Sequence, residues 1–168
     1  MQLRQGFSLL EMVLVLGLLM IMTTIAVSAW NRYTTNTNFR EAARAIEADM
    51  KYMKQNALSQ AFTTVSTPMP VNYSIVFYRT TGNYILQALD STNNTLFTRT
   101  TQLSSFGRGN IAFVSFPLGG NTFTLTFQNR GILGPGLGGN IVINNSLNSR
   151  ANILFTESGK IYVNFQMQ

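Results

Sequence analysis

Residues 6–22 read GFSLLEMVLVLGLLMIM, and this stretch decides what kind of chain this is. No Lys or Arg occurs between Arg4 and Arg32, and from Met12 to Met22 no side chain is polar. As an α-helix, Phe7 to Trp30 spans roughly 36 Å, enough to cross a hydrocarbon core of about 30 Å. The cation at Arg4 predicts that the short N-terminal flank stays cytoplasmic while the bulk of the chain faces out. Trp30 and Tyr33 then fall where interfacial aromatic residues are expected.

Glu11 disagrees with a simple anchor. A carboxylate inside an apolar run costs several kcal/mol unless it is neutralised or paired. The only cation near it in sequence is Arg4, two turns away. The expectation is therefore a partner from another molecule. Two other readings of the segment stand beside this one. A secretory signal would take MQLR as its charged region and place Val27 and Ala29 before a cut at Trp30. It would have to tolerate Glu11 in its apolar region. A plain single-span anchor leaves Glu11 unexplained.

The same string resembles the processing site of type IV pilins and type II secretion pseudopilins. The shared features are a short leader ending in Gly6, then Phe7, then a glutamate at the fifth mature position, then about twenty apolar residues. The resemblance implies cleavage between Gly6 and Phe7 by a prepilin peptidase and N-methylation of the new Phe7 amine. It also implies assembly through Phe7 and Glu11. Physical chemistry reaches a compatible answer. A free amine at Phe7 and a carboxylate at Glu11 are two opposite charges in lipid, each satisfied when neighbouring helices stack with a stagger. Such a head-to-tail contact does not close on itself and builds a filament.

Beyond a polar segment at Asn31 to Asn38, which reads as a hinge, Phe39, Ala43, Ile46, Met50, Met53 and Ala57 recur in steps of three and four. This is one helical stripe. Arg40, Arg44, Glu47, Lys51 and Lys54 fall on other faces, and Glu47 precedes Lys51 in the favourable i, i+4 order. The helix is predicted to end near Ser59, ahead of Pro68 and Pro70. If both halves are continuous, Phe7 to Ser59 makes a rod of about 80 Å.

From Asn72 the period changes to two. Predicted strands are Tyr73 to Tyr78, Tyr84 to Leu89, Asn110 to Phe116, Thr122 to Gln128, Asn140 to Asn144, Ala151 to Thr156 and Lys160 to Phe165. In Thr122 to Gln128 the apolar Phe123, Leu125 and Phe127 alternate with polar residues, as in an antiparallel strand with one buried face. Turn residues separate the runs at Thr81-Gly82-Asn83, Ser91 to Asn94, Gly119-Gly120-Asn121 and Glu157-Ser158-Gly159. GILGPGLGG at Gly131 to Gly139 lacks the following Lys-Ser/Thr and helix of a phosphate loop, and reads as a flexible surface loop. The fold expectation is α+β: a long N-terminal α-helix, part transmembrane and part amphipathic, on one antiparallel β-sheet domain. Its parts are 1–6 leader, 7–30 transmembrane and assembly helix, 31–60 amphipathic helix, and 61–168 antiparallel β-rich domain.

A narrower resemblance lies in FREAARAIEADMKYMKQNALSQ, FTLTFQNRGIL and ILFTESGKIYVNF. Together they resemble the H-type minor pseudopilins and their FimT-like pilus relatives. This implies a pilin-like fold and a structural role: a minor pseudopilin or minor pilin of a secretion pseudopilus or type IV pilus. It also implies a single-pass protein of the bacterial inner membrane with its C-terminal domain in the periplasm or outside. Its partners would be other pilin subunits, the prepilin peptidase, the inner-membrane assembly platform and membrane lipid. The chain lacks the C-terminal cysteine pair of many major pilins, yet a major pilin stays an alternative.

Composition narrows the remaining chemistry. The 168 residues contain no Cys and no His, which excludes disulfides, thiolate nucleophiles, His-based acid/base pairs and the usual zinc sets. Charged residues make up only 11%. From Gln60 to Gln168 the only carboxylates are Asp90 and Glu157, far apart in sequence. No catalytic pair, cofactor or dense acidic metal site is therefore expected. The formal charge of +6 leaves one further binding alternative, a minor pilin whose domain captures DNA. The candidate contacts are Arg79, Arg99, Arg108, Arg130, Arg150 and Lys160, scattered along the chain. Solvated sheet-edge cations that discourage edge-strand pairing are the reading favoured for them.

Overall fold

A computed structural model of the chain describes residues 8–60, 70, 72–127 and 138–168. They fall into two units, one up to Thr34 and one from Thr35 onward, and a single helix, α1 (Leu9–Gln60), contributes to both.

In the first unit every side chain from Ser8 to Tyr33 is exposed, and Leu9 is 83% exposed. Apolar surface left in water costs about 25 cal/mol per Å², so this segment calls for lipid or another apolar helix. It is long and apolar enough to cross a membrane, as an anchor or a signal segment would. Its hydroxyls suit that setting. Thr23 Oγ1 donates to the Leu19 carbonyl at 2.6 Å, Thr24 Oγ1 to Met20 at 2.8 Å and Thr34 Oγ1 to Trp30 at 2.9 Å. Each donor is thus satisfied inside its own helix.

In the second unit the predicted stripe is the buried face of α1. Phe39, Ala43, Ile46, Met50, Met53 and Ala57 are all buried, joined by Ala42. They pack in one core with two antiparallel sheets, where a single sheet was expected. The first sheet has the order β3-β2-β1-β5, with β1 Asn72–Tyr78, β2 Asn83–Leu89, β3 Thr95–Gln102 and β5 Thr122–Phe127. The second has the order β4-β6-β7-β8, with β4 Ala112–Ser115, β6 Gly139–Asn144, β7 Arg150–Phe155 and β8 Ile161–Gln166. Aromatic rings join the sheets. Phe77 of β1 meets Phe113 of β4 edge-on at 5.7 Å, and Phe123 of β5 stacks on Phe155 of β7 at 5.8 Å. Rings at these separations add attraction beyond their burial.

Two expectations are corrected. Residues 31–38, read as a hinge, are helical throughout and belong to α1. Their polarity serves docking instead. Asn36 Oδ1 accepts from Asn145 Nδ2 at 3.2 Å and Ser149 Oγ at 3.0 Å, and Asn36 Nδ2 donates to the Gln168 carbonyl at 3.4 Å. Strand β3 is the second correction. Its Thr-rich sequence buries almost nothing, so no apolar alternation marks it. It exists because β2 supplies a ladder of backbone partners. The end of the predicted strand at Gln128 and most of the glycine loop, residues 131–137, lie outside the described residues; Gly139 opens β6.

The β2–β3 turn closes on Asp90. Its Oδ1 accepts from the Thr92 hydroxyl, the Thr92 amide and the Asn94 amide, each at 2.8 Å. These donors, the Thr92 hydroxyl foremost, hold the carboxyl below its ordinary value. A depressed folded-state pKa stabilises the fold above the unfolded value, and that contribution fades as pH falls through the folded one. Asp90→Asn should therefore lower Tm at neutral pH, with the gap to the parent closing below about pH 4 in thermal melts. A gap that stays constant down to pH 2 would refute a charge-based role.

Candidate functional site

The first turn of α1 is a reciprocal cap. The Ser8 amide donates to Glu11 Oε2 at 3.1 Å, and the Glu11 amide donates to Ser8 Oγ at 3.2 Å. This S-x-x-E capping box satisfies two of the amides that a helix start leaves open and puts an anion at the positive end of the helix dipole. Glu11 was expected to take its charge partner from another molecule. Within its own chain, one of its oxygens accepts the neutral Ser8 amide. The pattern Ser8-x-x-Glu11 ahead of an apolar run carried this signal in the sequence. Gly6 and Phe7 lie outside the described residues.

The arrangement places a carboxylate at the very start of an exposed apolar helix. A carboxylate there can receive a cation from a neighbour while its second oxygen keeps the helix capped.

The six candidate DNA contacts divide on the structure. Arg99 pairs with Asp49 of α1, whose other oxygen accepts the Tyr84 hydroxyl at 2.7 Å. Burial, followed by this hydrogen bond to Asp49, pushes the Tyr84 phenol well above its ordinary pKa. Arg99 thus ties the helix to the first sheet. Asp49 flanks the buried stripe next to Met50, a position that singled out no partner in the sequence. Lys160 is exposed in the β7–β8 turn with Glu157. Arg130 lies outside the described residues.

Arg79, Arg108 and Arg150 are exposed, and the topology gathers them at one end of the strands. Arg79 is in the β1–β2 turn and lines a cavity of about 320 Å³ with Gly107 and Asn110. The Ser146 amide donates to the Gly109 carbonyl at 2.7 Å, joining that loop to the β6–β7 turn that ends at Arg150. Two glycines press the loop against α1. Gly107 and Gly109 have φ of 98° and 130°, and a Cβ on them would lie 2.5 Å from Asn38 Nδ2 and 2.8 Å from Thr35 Cγ2. Asp90 and Glu157 sit in the turns at the opposite ends of β2 and β7. The three arginines are therefore gathered at one end, although they look dispersed in sequence, while the other end carries Asp90 and Glu157 together with Lys160.

No protein-family model matches the chain, and neither does any curated protein or solved structure. The architecture is pilin-like: a long N-terminal helix, apolar over its first part and packed on antiparallel sheets over its second.

Proposed function

We propose that the chain is a structural filament subunit, a minor pseudopilin or minor pilin, held in the bacterial inner membrane by residues 7–30 and assembled through Phe7 and Glu11. The observation that carries this reading is the capped Glu11 at the head of an apolar helical segment whose side chains are exposed from Ser8 to Tyr33. An unassembled helix of this kind leaves an anion in lipid with, among the described residues, one donor, the Ser8 amide, and a neighbour's N-terminal amine supplies the missing charge. The chain's role is then mechanical, in secretion or pilus biogenesis, rather than catalytic.

The mass of the N-terminal peptide, taken from membranes of a host with a prepilin peptidase, tests it. The expected peptide begins at N-methylated Phe7. A start at Trp30 would make the apolar segment a secretory signal, and an intact Met1 a plain anchor; either result defeats the proposal.

A further inference from the structure

We infer that the arginine-bearing end of the sheet domain, Arg79, Arg108 and Arg150, rests on the anionic phospholipid headgroups of the bilayer that holds the apolar helix. The inference depends on the reading that residues 7–30 lie in a membrane. Three exposed guanidinium groups share this end, and the two carboxylates of the strand domain are carried at the other with one cation, Lys160. Guanidinium groups bind phosphate oxygens with a fork of donors.

Chain connectivity favours lipid over other anions. The loop carrying Arg108 is pressed on Thr35 and Asn38 of α1. Thr35 follows Trp30 by five residues, so its Cα lies within about 17 Å of that of an interfacial tryptophan, whatever the path between them. Phosphates at the bilayer surface are within reach of this end. The helix just beyond Asn38 continues the sign, with Arg40 and Arg44 exposed against Glu41. Gly107 and Gly109 matter here because they let the loop approach the helix, keeping Arg108 at this end.

The full-length protein in vesicles tests the inference. The chain has no cysteine, so Thr80→Cys labels the arginine end and Ser91→Cys the opposite one. Energy transfer from each label to a headgroup-labelled lipid is compared in phosphatidylcholine vesicles with and without phosphatidylglycerol. Quenching of Trp30, the single tryptophan, by brominated lipid reports insertion independently. Phosphatidylglycerol is expected to raise transfer at Thr80 and not at Ser91, and added salt should reverse it. Each Arg→Gln change should lower the docked-to-undocked ratio roughly fivefold, and the triple Arg79→Gln/Arg108→Gln/Arg150→Gln roughly a hundredfold. Quenched Trp30 with no lipid-dependent transfer would overturn the inference and leave the membrane reading standing. Unquenched Trp30 would overturn both. Were a DNA duplex to bind the parent with salt-sensitive affinity, and the triple change to abolish that binding while leaving lipid transfer intact, this end would be a nucleic-acid surface and the inference would fall.

Discussion

Glu11→Val should leave the chain in the membrane and cut its incorporation into filaments by at least about a hundredfold. The first part follows because valine makes residues 7–30 more apolar, which favours insertion. The second follows because a neighbour's Phe7 amine would be left unpaired in a low-dielectric setting, where removing one member of a buried pair costs about 3–5 kcal/mol. Valine also removes the bond from the Ser8 amide to the Glu11 carboxylate, while the residue-11 amide still donates to Ser8 Oγ, so at most about 1 kcal/mol is lost at the helix start. Glu11→Gln separates the two effects. Glutamine can keep the reciprocal cap with Ser8 but carries no charge. It should insert normally, keep the helix start and still fail to assemble. Sheared and membrane fractions from cells with a prepilin peptidase give the ratio directly. Assembly of Glu11→Gln at the parent level would show that charge pairing between subunits is not the mechanism.

Phe77→Ala should destabilise the sheet domain by about 3–5 kcal/mol, a large share of the 5–15 kcal/mol that holds an ordinary domain together. Phe77 is fully buried, and its ring touches Tyr84, Phe113, Phe116 and Phe123 at centroid separations of 5.7 to 6.3 Å. Those neighbours belong to both sheets and the segment between them, so the cavity would open where the sheets are joined. Leu118 is the control. It is 78% exposed in the turn before β5, and Leu118→Ala should stay within about 0.5 kcal/mol of the parent. Urea unfolding of the full chain in detergent, followed by near-ultraviolet circular dichroism, measures both. A Phe77→Ala midpoint equal to that of Leu118→Ala would mean that the two sheets do not depend on the aromatic junction.

Legibility along this chain followed the strength of local patterning. The stripe from Phe39 to Ala57 was readable because a helix with one buried face must repeat its apolar residues every three or four positions, and all six residues are buried. The strands around Phe77, Phe123, Ile141 and Ile153 were readable for the matching reason at period two. Strand β3 was not, since an edge strand exposed on both faces has no pattern to show and owes its existence to β2. The polar run at residues 31–38 misled for a related reason. Asparagine and threonine suit a hinge, but they equally suit a helix face that docks polar loops, and only the positions of Asn145, Ser149 and Gln168 distinguish the two.

The candidate site divides in the same way. Glu11, the apolar run after it and the Ser8-x-x-Glu11 cap are local, written within two turns of one helix, so residue order alone specified them. The fold class, the order of helix before strands and the absence of thiol or imidazole chemistry were likewise set by sequence. Tertiary structure decided how the chain divides into two sheets, that Arg99 is spent on Asp49, and that Arg79, Arg108 and Arg150 share one end. Those residues are separated by tens of positions. Antiparallel pairing carries the chain back and forth across the domain, so which distant turns meet depends on strand register and sheet order, and no local periodicity encodes either.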